Sequence, residues 1–274
     1  MLDLASKIDD SVRHIKARVN NIPGIGIILG TGLGALADKV QNRYDIPYED
    51  IPHFVKSTLK DHAGNLIFGS IGDKNVVIMQ GRLHYYEGYS MKEITFPVRV
   101  MKALGAKTLI VSNAAGSMNQ YIGAGDIMII TDHINLMGDN PLRGINDDSL
   151  GPRYPDMYES YSPELIELTY KTAIREDIRI SKGVLVAVSG PNLETPAEYK
   201  FLSLIGADAV SMSSVPEVIV AIHSSMKVLG ISCITDKCTP EVLRKSDISE
   251  IISIANETEP KLTRLLTEVI SQMP

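Results

Sequence analysis

Short apolar runs separated by longer amphipathic ones constrain this chain more than any other feature. Residues 25–29, 76–79, 108–112, 127–131, 184–188, 209–212 and 228–234 have the length and composition of strands. Residues 91–104, 163–174, 196–205, 216–225 and 248–269 have helical periodicity. This alternation predicts an α/β fold, with helices covering a central sheet whose uninterrupted strands are buried on both faces. With 274 residues, 44% of them hydrophobic, the chain has ample material for a large core. Residues 139–161 form the longest stretch without periodicity, and long ordered loops often carry function. There is no repeat and no linker, so one domain over residues 1–274 is expected.

The remaining composition excludes several classes. A formal net charge of −6 with scattered basic residues argues against a nucleic-acid partner. Cys233 and Cys238 are the only cysteines, which rules out a disulfide scaffold and fits a reducing cytoplasm. Residues 1–20 read as an amphipathic helix with Leu2, Ile8, Val12, Ile15 and Val19 mainly on one side, too charged for a signal peptide. No window has the roughly 18 apolar residues of a membrane span. Histidines without helical pairing and cysteines without zinc spacing leave no metal site to expect.

Three segments carry candidate chemistry. Gly30-Thr31-Gly32-Leu33-Gly34 follows a strand, and closely spaced glycines let backbone N–H groups and a following helix converge on an anion. No Gly-Lys-Ser/Thr completes a P-loop. A dinucleotide fingerprint needs a second strand with an acid about 20 residues on, and residues 42–53 look too polar and Pro-interrupted to supply one. An anion site and a plain tight turn both remain open there. In residues 80–89, strand alternation puts Arg82 and His84 on one side, with Tyr86 if the strand continues; Arg and His donors suit a phosphate. In Ser189-Gly190-Pro191-Asn192-Leu193-Glu194 the terminal carboxylate faces either an amide-like heterocycle edge or merely the next helix terminus. Thr195-Pro196-Ala197-Glu198 and Ser214-Val215-Pro216-Glu217 both read as capped helix starts. His62, alone, reads as structural.

Together these segments resemble the trimeric purine-nucleoside phosphorylase family, which includes methylthioadenosine phosphorylases. The matching motifs also include Ser112-Asn113-Ala114-Ala115-Gly116, Thr131-Asp132-His133-Ile134-Asn135-Leu136 and Asn140-Pro141-Leu142-Arg143-Gly144, and the resemblance spans roughly residues 24 to 236. It implies a single domain with a mixed central β-sheet flanked by helices. It implies a phosphate site of Thr31, His62, Arg82, His84, the Ala114 backbone and Ser213. Tyr86 and Met212 would flank the ribose, and Glu194 would hold the purine N1 edge. Tyr154 would close the sugar pocket of an adjacent subunit in a homotrimer. The implied partners are a purine nucleoside and inorganic phosphate, the latter a substrate, with no cofactor; His84, Asp236 and Glu194 would be the catalytic residues.

Two positions depart from the guanosine/inosine enzymes. Asp236 stands where they carry Asn, and Ile248 falls where a His commonly meets the 5′-hydroxyl. Both lean toward the methylthioadenosine branch, whereas His62-Ala63-Gly64, Tyr86-Glu87-Gly88 and Glu194-Thr195-Pro196-Ala197-Glu198 match the purine-nucleoside branch more broadly. The expectation is therefore phosphorolysis of purine nucleosides, with methylthioadenosine as the alternative substrate. A hydrolase or a non-catalytic binding module would have no use for an anion cage. An ionised Asp236 suits a 6-amino group; to serve a 6-oxopurine it would have to be neutral and donate to N7.

Overall fold

The computed structural model describes residues 3–30, 34–58, 63–239, 245 and 247–273. In chain order the elements are α1 (Leu4–Lys16), β1 (Ile25–Ile28), β2 (Gln41–Pro47), β3 (Asn65–Ile71), β4 (Lys74–Gln80), α2 (Met91–Leu104) and β5 (Thr108–Ser117). They continue with β6 (Ile127–Leu136), α3 (Pro163–Arg175), β7 (Ile180–Val188), α4 (Pro196–Leu204), β8 (Ala209–Ser211), α5 (Val215–His223), β9 (Lys227–Lys237) and α6 (Ile248–Gln272). Each apolar run expected to be a strand is one, and the five helical runs expected between residues 91 and 269 form within a few residues of their expected ends.

The sheet order is β2-β3-β4-β1-β5-β8-β7-β6-β9, and β9 also pairs with β5. The sheet is mixed: β1 runs parallel to β4 and β5, β9 parallel to β5, and β6 antiparallel to β9. Because β5 bonds β9 along its length and β8 only at Gly116 and Ser117, the strands β5, β8, β7, β6 and β9 close into a ring. β5 is thus shared by an open sheet and a closed one. Its residues Leu109, Ile110 and Val111 lie in the main core with Ile27, Ile78 and Leu229, all without solvent exposure. A smaller cluster under α4 contains Met118, Val186, Tyr199, Leu202 and Cys238.

Two strands escape the sequence pattern. Residues 41–47 do form a strand, but an exposed antiparallel one at the sheet edge, paired to β3. Its polar residues face water, so pairing rather than burial makes it a strand, and it does not supply a dinucleotide-type acid. β3, with Leu66, Ile67 and Phe68 buried, joins it to β4. The helix expected after the glycine loop is a short 3-10 turn, Gly34–Lys39, whose Ala35 N–H donates to Glu259 of α6. Both cysteines are free and buried.

Candidate active site

The carboxyl ends of β1 and β4, the outer half of β5 and the ends of β8 and β9 surround a cavity of about 320 Å³. This is where α/β sheets bind ligands, since parallel strands there release their loops to one side. Gly30, Arg82, His84, Tyr86, Ala114, Glu194, Met212, Ser213, Asp236 and Ile248 all line it. A second cleft of about 480 Å³ opens beside Gly24 and Lys107, near the opposite strand ends. Of its charged groups, Lys227 pairs with Glu164 and Lys74 with Asp73. Thr31 and His62 lie outside the described residues.

Arg82 and His84 reach the cavity by a route that alternation did not foresee. β4 stops at Gln80, the chain turns at Gly81 (φ 101°), and Tyr85–Glu87 form a 3-10 turn. Tyr48, fully buried, fixes that turn by donating to the Gly81 carbonyl at 2.7 Å. Arg82 is then buried, 1% exposed, with Nη1 donating to Ser112 O at 2.6 Å and Nη2 to Glu217 Oε1 at 2.8 Å. A buried guanidinium needs such a counter-charge.

Glu217 therefore does not do what its capping motif implies. Thr195 and Glu198 form the expected reciprocal cap on α4. Ser214, by contrast, makes no side-chain cap bond to α5 among the described residues. Its backbone sits at φ 73°, ψ −45°, with Val215 N donating to Ser213 O at 3.0 Å, a strained γ-turn. Its hydroxyl accepts from Asn113 Nδ2 at 2.9 Å. The turn sets Ser213, itself buried, on the cavity wall next to Ala114, whose carbonyl accepts from Ser211 Oγ at 2.9 Å.

His84 is held from behind. Its backbone N–H donates to Glu87 Oε1 at 2.7 Å and its Nδ1 lies 3.3 Å from the same oxygen. Glu87 Oε2 accepts from Thr58 N–H, Thr58 Oγ1 and Ser57 Oγ. Burial pushes the Glu87 carboxyl up, but the bonds from His84 and Thr58 outweigh it and hold it at about 2. Burial lowers His84, against the opposing pull of Glu87, so the ring is predominantly neutral near pH 7. With a carboxylate at Nδ1, the proton belongs on Nδ1 and Nε2 is an acceptor. The ring stacks on Tyr86 at 4.7 Å between centroids, 15° apart.

The middle of the cavity is apolar and aromatic. Met212 and Tyr86 meet above Gly190, whose φ of 64° and crowded surroundings exclude any side chain: a Cβ would press on Met212 Sδ and lie 3.3 Å from Tyr86. Beyond them Glu194 and Asp236 face the same space. Burial raises the Glu194 carboxyl, reinforced by the Asp236 charge and partly offset by its own backbone N–H and Tyr199. Asp236 accepts from Thr235 Oγ1 and Cys238 Sγ, each at 2.9 Å. Ile248, with Ile251 and Ile252, forms an apolar side wall.

Tyr154 is not part of this cavity. It is 86% exposed on the long loop, with the Arg153 guanidinium 5.7 Å from its ring centroid. Arg153 in turn donates to Gly144 O at 2.8 Å. The functional neighbours that sequence reasoning missed are Glu87, Asn113, Tyr199, Glu217 and Cys238. For Glu217 a signal existed: a lone acid in α5, whose Val215 to Ala221 are all buried, requires a cation inside the protein.

The fold and this strand-end cavity, which joins cationic, aromatic and acidic side chains, define an α/β protein built to hold a small molecule. The chain belongs to the Phosphorylase superfamily, whose profile matches residues 24–271. Purine nucleoside phosphorylase 1 of Bacillus subtilis (strain 168) is 48% identical, over 98% of this chain and 99% of that relative. The crystal structure of Schistosoma mansoni purine nucleoside phosphorylase in complex with inosine superposes with a TM-score of 0.94, at 37% identity over 98% of this chain and 97% of that one. The adenosine complex of the same enzyme gives 0.93, at 38% identity over 98% of both chains. The family resemblance drawn from the motifs holds. Among the described residues no group of three His, Cys, Asp or Glu side chains is placed to hold a metal ion, and no helix is long and apolar enough to cross a membrane.

Proposed function

We propose that the chain catalyses the reversible phosphorolysis of purine (deoxy)ribonucleosides, giving the free base and (deoxy)ribose 1-phosphate. The observation carrying this reading is the order of groups along one cavity: Arg82, His84 and Ser213 at one end, Tyr86 and Met212 in the middle, Glu194 and Asp236 at the other. Phosphate takes the first zone, the sugar the second and the purine the third. Thr31 and His62 complete the anion site in this reading. Because Glu217 already neutralises Arg82, the anion is held by oriented donors, the Ser213 hydroxyl and the Ala114 backbone among them, more than by net positive charge. A neutral His84 with Nε2 as acceptor matches the P–OH of a hydrogen phosphate.

The reaction follows from the placement. The bond to N9 lengthens first, the sugar gains oxocarbenium character and the purine gains negative charge. Phosphate held beneath the sugar stabilises the cation and then attacks the anomeric carbon. Glu194, holding the N1 edge, and Asp236 share the leaving base. Phosphate is consumed as a substrate, and the reading requires no cofactor. The similarity to purine nucleoside phosphorylases along the whole chain favours this reaction over methylthioadenosine phosphorolysis, although Asp236 and the apolar Ile248 wall leave room for a 6-amino base and a less polar 5′ group. The single sheet threading residues 25–237 supports one catalytic domain. Exposed Tyr154, Tyr158 and Ile145 on one loop support a homotrimer in which Tyr154 covers a neighbour's sugar pocket. A cytoplasmic location fits the two free thiols. The test is release of free base from inosine, guanosine, adenosine and methylthioadenosine with and without phosphate. Phosphate-independent release, or turnover of methylthioadenosine alone, would refute it.

A further inference from the structure

β9 ends at Lys237, and the chain leaves it extended, so that Cys238, the next residue, lies on the same side as Asp236. The thiol uses that proximity: Cys238 Sγ donates to Asp236 Oδ2 at 2.9 Å, while Thr235 Oγ1 donates to Oδ1 at 2.9 Å. The pair lies flat against β5 at Gly116. A Cβ at Gly116 would stand 2.9 Å from Cys238 Sγ and 3.1 Å from Asp236 Oδ2, so the slot exists because this residue has no side chain. Cys238 is only 3% exposed and belongs to the small core under α4. Burial and the adjacent Asp236 charge push its thiol far above the ordinary range, so it stays protonated as a donor. Tyr199 belongs to the same small cluster as Cys238 and lines the cavity together with Glu194.

We propose that Cys238 is a positioning residue for base selection, locking Asp236 as an acceptor toward the cavity and so favouring purines that carry an N–H donor at the 6-position. Each carboxylate oxygen has two lone-pair sites. Thr235 and Cys238 fill one on each oxygen, from the protein side, and this fixes the plane in which the others face the base. A 6-amino group offers a hydrogen to that edge; a 6-oxo group offers lone pairs and meets repulsion. Without the thiol the carboxylate keeps, among the described residues, only the Thr235 bond and is free to turn. The inference rests on the assignment of Asp236 to the purine end of the cavity.

The experiment compares kcat/KM for adenosine and inosine, at saturating phosphate, in the wild type, Cys238→Ala, Cys238→Ser, Asp236→Asn and the Asp236→Asn/Cys238→Ala double variant. Cys238→Ala is expected to lower the adenosine-to-inosine ratio about fivefold, and Cys238→Ser, which retains a donor, to stay within about twofold of wild type. In the Asp236→Asn background the alanine change should leave the ratio unmoved, which a merely structural thiol would not require. If alanine at this core position unfolds the protein, Cys238→Val fills the volume without a donor and carries the same test. An equal loss on both substrates, or the same ratio change with and without Asp236, overturns the proposal. A ratio that Asp236→Asn itself leaves unchanged refutes the base-end assignment instead.

Discussion

Glu217→Gln separates what Arg82 does for the fold from what it does for the anion. Both side chains are almost wholly buried and 2.8 Å apart. Glutamine keeps an oxygen for the Arg82 Nη2 bond, and Glu217 Oε2 has no hydrogen-bond partner among the described residues, so the new amide nitrogen displaces none. The charge is lost, and two amide N–H donors enter a buried position where Oε2 has no partner among the described residues. Breaking a buried ion pair costs about 3–5 kcal/mol, and the retained bond points to the lower end, about 3 kcal/mol. For a chain of this size that is a fall in Tm of about 6–10 °C. Phosphate should reverse part of it. Two like unit charges roughly 7 Å apart repel by about 2 kcal/mol at an effective dielectric near 20, which sets the order of the Glu217 effect on an anion held in front of Arg82. Removing it should tighten phosphate binding about ten- to thirtyfold. Thermal melts of both proteins across a phosphate titration read both effects. The variant should melt lower without phosphate, gain stability at lower phosphate concentrations and approach the wild type at saturation. Equal phosphate increments in the two proteins would show that Arg82 does not face the anion.

Three further outcomes follow from the site. Glu87, at about 2 in the fold against an ordinary 4.5, contributes stability that is complete above pH about 4.5 and vanishes as pH falls toward about 2. The wild-type urea midpoint should therefore drop more steeply than that of Glu87→Gln between about pH 5 and pH 2.5, and parallel curves would contradict this. Asn113→Ala releases the Ser214 hydroxyl that steadies the γ-turn, and should raise the phosphate KM about tenfold with a smaller change for the nucleoside; an unaltered phosphate KM removes the turn from the anion site. If Tyr154 serves a neighbour's pocket, Tyr154→Ala should raise the nucleoside KM, and dilution to monomer should abolish activity in a folded protein. A fully active monomer in sedimentation-matched assays would refute the shared site.

Much of the fold is legible because seven buried strands announce themselves by apolarity. β2 does not, since five of its seven residues are exposed and its strand character comes from β3. Ring closure through β5 is equally silent, because it depends on long-range registers that no local pattern encodes. In the site, Arg82 and His84 were reachable from their donor chemistry beside a buried strand, but not from the alternation meant to align them, because that strand ends at Gln80. Glu217 was hidden by a better local explanation, the Ser-x-x-Glu cap, which yielded to the demand of a buried arginine. Tyr154 is placed by a loop whose conformation is fixed by contacts such as Arg153 with the Gly144 carbonyl, not by periodicity.

The double membership of β5 turns its backbone into a ruler. At Asn113 the strand touches the turn that presents Ser213; at Gly116 it touches Asp236. Three residues of extended chain separate these points, about 10 Å at roughly 3.3 Å per residue. That span is written in peptide units, pinned by β9 on one side and by β1 and β8 on the other, and no side-chain substitution can lengthen it. In the proposed reading, substrates must therefore vary across this axis rather than along it. The α6 wall at Ile248, Ile251 and Ile252 lines the same cavity without belonging to that frame, and under that reading it is where a different sugar substituent would be admitted without disturbing the reacting atoms.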